Sequence, residues 1–112
     1  MHTMEVVITK FVDPHQPGFV ECALTDAWGR EWLFVEKVPV VTTAPLDEWS
    51  AYPQPGTIAC EIVRRWRDAG GRELVTVDTE RPSGVQSATG QTRFDLPAGQ
   101  VRDDGAGGFG TQ

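Results

Sequence analysis

Three groups of residues are of the types that do chemistry. Cys22 and His15 are a nucleophile and a base, and His15 lies in the short proline-containing segment leading directly into the stretch that carries Cys22. An enzyme or small ligand-binding barrel built on them would need the imidazole beside a thiol of lowered pKa. The second group is RRWRDAGGR, in which Arg64, Arg65, Trp66 and Arg67 run together in a chain whose overall charge has the opposite sign. Cations interleaved with an aromatic ring can pair with phosphates and stack on bases, so single-stranded nucleic-acid binding is one expectation for this strand. The competing expectation is a row of arginines neutralised by glutamates across the sheet. The third group is Trp28, Trp49 and Tyr52, aromatic residues outside the core-like stretches. Aromatic side chains bring large apolar area at small entropic cost, so these three are the candidate protein-binding residues.

Other chemistries find little material. The carboxylate pairs Asp47/Glu48 and Asp78/Glu80 are what a chain with 16 acidic residues contains by chance. General acid–base work would also require a pocket that shifts one pKa. No glycine-rich phosphate loop opens a helix. The paired Cys and His spacings of zinc sites and the acidic loop of a calcium hand are missing as well, so no metal and no cofactor is expected.

The elements that must position these groups are short and β-prone. MEVVITKFV, residues 4–12, alternates as a strand with one buried face, and DPHQPG, residues 13–18, follows as a loop. FVECALT and REWLFVEKV then flank DAWG, and IACEIVRRWR and RELVTVD flank DAGG. Each four-residue link has an Asp to accept turn amides and a Gly for a left-handed residue, so two hairpins are predicted. DAWGRE and DAGGRE differ only at Trp28/Gly70, while the strands that precede them, FVECALT and EIVRRWR, share no identical position. Similarity confined to the turn is expected from shared turn chemistry rather than from an internal repeat.

PVVTTAPLDEWSAYPQPG, residues 39–56, is a long central loop with one short helical turn expected at Pro45, Asp47 and Glu48. TERPSG reads as a turn, residues 85–87 as a short extended piece and QTRFDL as a last strand. Residues 97–112 are Gly-rich, poor in branched apolar side chains and predicted to form a flexible tail.

These signals predict one all-β domain over residues 1–96. The expected architecture is a small, strongly bent antiparallel sheet or barrel, SH3-like or OB-like, of five to six strands; a β-sandwich is the alternative. A chain of 112 residues with 39% hydrophobic and 23% charged residues suits a single globular core. Cys22 and Cys60 are expected to be free buried thiols. No signal-peptide pattern and no apolar run of bilayer length is present, so a cytoplasmic location is expected. Ten basic residues against 16 acidic ones give a net charge of −6, which disfavours polyanions and membranes and admits a basic partner. The resulting functional expectation is a non-catalytic protein-binding module, for example an acidic inhibitor or immunity-type protein, contacting its partner through the central loop and the Trp28 turn.

Overall fold

A computed structural model describes residues 1–103 of the chain. Seven strands form one antiparallel sheet curled into a half-barrel: β1 (His2–Asp13), β2 (Phe19–Thr25), β3 (Glu31–Lys37), β4 (Gln54–Arg67), β5 (Glu73–Asp78), β6 (Arg93–Pro97) and β7 (Val101–Asp103). The strand order is β3-β2-β1-β4-β5-β6, with β7 on β1. The bent-sheet expectation holds and the two hairpins form as predicted. The count is seven rather than five to six because the chain after Pro97 is structured. Ala98–Gln100 make a 3-10 turn, and β7 then pairs with the first residues of β1. The expected tail therefore cannot begin at residue 97; its remainder, 104–112, lies outside the described residues.

Two long strands make the bend. The first half of β4 pairs with β1, from Gln54 opposite Ile8 to Cys60 opposite His2, and its second half pairs with β5, from Glu61 opposite Asp78 to Arg67 opposite Glu73. On its other edge β1 holds β7 at His2–Met4 and β2 from Val7 onward. Register shifts fall in β1 between Ile8 and Lys10 and between Phe11 and Asp13, and in β4 between Ile62 and Arg64. Each leaves one residue unopposed and increases the local twist.

The shift in β4 also decides which way the Arg/Trp strand faces. Ile58, Cys60 and Ile62 point to the core, and uninterrupted alternation would send Arg64 and Trp66 after them. Because Val63 is unopposed, Arg64 and Trp66 instead lie across from Thr76 and Leu74. Those two alternate with the core residues Val75 and Val77, so Arg64 and Trp66 stand on the outer face.

The core gathers Met4, Val6 and Ile8 of β1, Val20, Cys22 and Leu24 of β2, and Phe34, Ile58, Val77, Phe94 and Leu96 from the remaining strands. Phe94 meets Trp32 and Phe34 edge to face, with centroids 5.4 and 5.6 Å away, which brings β6 against β3 although they end the strand order on opposite sides. Each exposed edge is also bonded: the Ala27 amide donates to the Asp95 carbonyl of β6 and the Ala88 amide to the Leu33 carbonyl of β3. Such capping removes backbone groups on which another chain could pair.

The central connection differs in detail from expectation. Its helical turn is α1 (Val38–Val41), directly after β3, and not at Pro45. Pro39 occupies the first turn, where no amide donor is needed, and Val38 and Val41 are three apart, so both point into the core. Burial places the helix there. The Asp47 carboxylate instead accepts the Trp49 amide and the Ser50 hydroxyl, closing a tight turn.

Candidate protein-docking surface

The two similar turns use the same bonds. In the first, the Asp26 carboxylate accepts the Trp28 and Arg30 amides at 2.9 Å, and the Gly29 amide donates to the Asp26 carbonyl at 3.1 Å. In the second, Asp68 accepts the Gly70 amide at 3.0 Å and the Arg72 amide at 2.9 Å, while Gly71 donates to the Asp68 carbonyl at 3.0 Å. Gly29 and Gly71 have φ of +81° and +88°, the left-handed conformation that a side chain disfavours.

The surroundings of the two carboxylates differ. Asp26 is only 9% exposed and also accepts the Trp32 indole N–H at 3.0 Å. Burial pushes its carboxyl up, but the Trp32, Arg30 and Trp28 donors and the Arg30 charge together outweigh this and hold it below its ordinary value. Asp68 is held low by the Arg72 amide and then by the Arg72 guanidinium, whose Nε donates to it at 3.0 Å.

Arg72 joins the two turns. Its Nη1 donates to the Ala27 carbonyl at 3.0 Å, and its guanidinium carbon lies 5.4 Å from the centre of the Trp28 ring. Trp28 and Trp66 are 6.2 Å apart and inclined at 38°, and Arg64 covers Trp66 at 4.6 Å. A polar relay ties the rings to the sheet. Trp66 Nε1 donates to Thr76 Oγ1 (3.1 Å), Thr76 Oγ1 to Asp95 Oδ1 (2.7 Å), and Trp28 Nε1 to Asp95 Oδ2 (3.2 Å). Trp28 nevertheless remains 55% exposed. The result is a fixed Trp–Trp corner flanked by guanidinium groups on the outside of the sheet.

The structure thus brings Trp28 together with Trp66 and Arg64, which sequence reasoning assigned to separate functions. Arg65 and Arg67 alternate with them. Arg67 pairs with Glu73 at 3.0 Å, whereas Arg64 and Arg65 form no ion pair among the described residues. Beside Trp66 is a hollow of about 300 Å³ whose walls include Arg65, Arg67, Glu73, Leu74 and Ala98. Arg72, Thr76 and Asp95 were missed as site residues. Arg72 had a signal, since it matches Arg30 in the repeated hexapeptide; Thr76 and Asp95 had none.

Trp49 and Tyr52 belong to a different place. Tyr52 precedes the first residue of β4 and Trp66 is the last but one, so the 14-residue strand separates them. Trp49 is 85% exposed on the Asp47 turn. Tyr52 packs its ring against the core and donates its hydroxyl to the Asp47 carbonyl at 2.7 Å, so it supports the turn that presents Trp49.

Cys22 and His15 are not brought together as a reactive pair. Cys22 is fully buried in β2, and its thiol is pushed up to about 12, first by burial and then by Glu36 and Glu21, so it is protonated at neutral pH. The exposed His15 ring is bonded to Asp13 at 2.6 Å. Cys60 is buried as well, and burial raises its thiol to about 11. The two cysteines lie opposite Ile8 and His2 on β1, about 20 Å apart along the strand and beyond disulfide reach.

A wider depression of about 1150 Å³ lies near Glu5, Val7, Val40, Thr43, Gln54 and Arg102, where Arg102 pairs with Glu5 at 2.7 Å. No cluster of His, Cys, Asp or Glu able to hold a metal occurs among the described residues, and no helix among them is long and apolar enough to cross a membrane. The chain matches no known protein-family model, no curated protein and no solved structure.

Proposed function

We propose that this protein is an interaction module that docks another protein on the Trp28–Trp66 corner. The observation carrying this proposal is the state of Trp28: more than half exposed, yet with its turn closed by Asp26, its indole N–H held by Asp95 and its ring beneath Arg72. Tryptophan and arginine are enriched among residues that dominate binding energy, and a side chain already fixed loses little entropy on association. Folding needs no large side chain at that turn position, since Gly70 fills its counterpart. Trp49 offers a separate second contact on its own braced turn.

The charge at this surface favours an acidic partner over a basic one, because Arg64, which covers the Trp66 ring, forms no ion pair among the described residues. Single-stranded nucleic acid is the weaker alternative. The Trp faces are partly covered by Arg64 and Arg72, and the acidic residues Asp68 and Glu73 interrupt the basic strip.

A photo-reactive amino acid placed at position 28 tests docking directly. It is expected to cross-link one protein in the native cell, and that protein, once purified, is expected to bind the wild-type chain at least about tenfold more tightly than Trp28→Ala. Equal binding by the two forms would remove the proposal.

A further inference from the structure

We infer that the Trp49 turn receives an arginine or lysine side chain from a basic segment of a partner protein, the cation lying over the indole beside the carboxylates of Asp47 and Glu48. This inference extends the second contact proposed above and is independent of the Trp28 corner, from which the Trp49 turn is separated by the length of β4. The chain has four tryptophans, and three carry a guanidinium of its own: Arg72 lies 5.4 Å from the Trp28 ring, Arg30 5.4 Å from Trp32 and Arg64 4.6 Å from Trp66. Trp49 has no cation over its ring among the described residues and, at 85%, is the most exposed of their large hydrophobic side chains. Residues 38–63 contain no Lys or Arg, so no basic side chain lies near it in sequence. An indole face attracts a cation more strongly than any other side-chain ring does.

The turn holds that ring ready. The Asp47 amide donates to Ser50 Oγ at 3.1 Å, the Ser50 amide to the Asp47 carbonyl at 3.2 Å and the Tyr52 hydroxyl to the same carbonyl at 2.7 Å. Leu46 and Tyr52, on either side, pack against the core. A turn fixed before binding loses little entropy when a partner arrives. Both turn bonds to the Asp47 carboxylate fall on Oδ1, so Oδ2 is left open, and the exposed Glu48 side chain makes no bond among the described residues. The chain already contains the arrangement in filled form: Arg72 lies over Trp28 while its Nε donates to Asp68 at 3.0 Å. A planar guanidinium can stack and donate at once, which favours arginine over lysine. An acidic segment would instead meet Asp47 and Glu48, and the net charge of −6 adds to the attraction of a basic one.

The test is selection of peptides from a randomised library on the immobilised full chain, with removal of every peptide that also binds the Trp49→Ala chain. The peptides that remain are expected to be enriched in arginine or lysine. For a synthetic copy, Trp49→Ala should weaken binding about tenfold or more and Glu48→Gln about threefold, whereas Glu80→Gln, which removes the same charge elsewhere, and Trp28→Ala should leave it unchanged. Replacing the peptide's arginine by lysine should weaken binding less than replacing it by glutamine. Trp49 and Glu48 are both exposed, so their substitution leaves the fold intact. No peptide left after the removal step, or peptides without basic enrichment, would overturn the inference. So would equal losses in Glu48→Gln and Glu80→Gln, which would mean attraction to overall charge alone, or attachment to phosphatidylcholine vesicles through Trp49 in preference to the peptides. Peptide binding that survives Trp28→Ala while a cross-link at position 28 fails would remove the Trp28 corner and leave this inference standing. Loss of peptide binding in Trp28→Ala would refute the independent site while leaving docking at the corner in place.

Discussion

Asp26 and Asp68 occupy equivalent places in near-identical hexapeptides, yet replacing each by Ala is expected to have very unequal consequences. Asp26→Ala removes three bonds to a charged acceptor, from the Trp28 amide, the Arg30 amide and the Trp32 indole N–H, at a position only 9% exposed. A hydrogen bond to a charged group contributes about 1.5–3 kcal/mol, and a buried donor left unpaired costs a similar amount. The two turn amides regain water when the side chain is removed, which leaves a net loss of about 3 kcal/mol, carried mainly by the stranded Trp32 N–H. For a domain of this size that lowers the unfolding midpoint by about 12–20 °C. Asp68 also makes three bonds, but to the Gly70 amide and to Arg72 at an exposed turn, where water replaces them readily. Its Ala variant should therefore shift the midpoint by less than half as much. Asp26→Asn is an informative intermediate: its carbonyl can serve the turn amides, but its NH₂ group then faces the Trp32 donor. Calorimetry on the four proteins orders them as wild type, Asp68→Ala, Asp26→Asn, Asp26→Ala. Equal losses for the two Ala variants, or a larger loss for Asp68→Ala, would show that turn chemistry and not burial sets the energetics.

Trp28→Ala should lower stability by only about 1 kcal/mol, since it gives up one bond to Asp95 and contacts of a half-exposed ring, while docking is lost; denaturant unfolding alongside binding separates the two effects. Gly56→Ala places a methyl 2.8 Å from the Ile8 side chain and 3.1 Å from the Val41 carbonyl, and should cost about 2 kcal/mol in urea unfolding, more than Gly29→Ala, where a methyl meets nothing within 4 Å and the cost is the backbone strain of a side chain at φ +81° alone. Cys22 and Cys60, raised by burial to about 12 and 11, should resist a thiol reagent at pH 8 in the native protein and react together once it is unfolded. Asp26, Asp68 and Asp78 are held below the ordinary 3.8, so the folded state binds fewer protons there than the unfolded chain. Their contribution is present above that value and is lost as pH falls through the lower folded pKa values, so stability should drop below about pH 4 and drop less in Asp26→Asn. Glu36 works in the opposite sense, because burial raises its pKa.

Much of this architecture was legible in the chain because local chemistry demands it. Two turns needed an Asp to collect amides and a Gly at positive φ, and the residues flanking them are β-branched, aromatic and alternating. The bend, the hairpins and the burial of both thiols followed from that. Where sequence reasoning failed, a distant partner had decided the outcome. The helical turn formed at Val38–Val41 because a core was there to receive two valines, and residues 98–103 became ordered because the β1 edge at His2–Met4 was open to pair with them.

The candidate site divides along the same line. Sequence alone singled out Trp28 as a large residue on a turn that did not require one, and Arg64 with Trp66 as sharing a face. Only tertiary structure decided that this face is the outer one, since a single unopposed residue at Val63 reverses the alternation inherited from Ile58 and Cys60. It alone brought the first turn onto β6, so that Asp95, 67 residues from Trp28, could hold its indole and Arg72 could bridge both turns. Turn bonds are made between neighbours and can be read from neighbours. Which faces meet depends on register summed over every strand, and one residue's slip there moves a side chain from core to solvent.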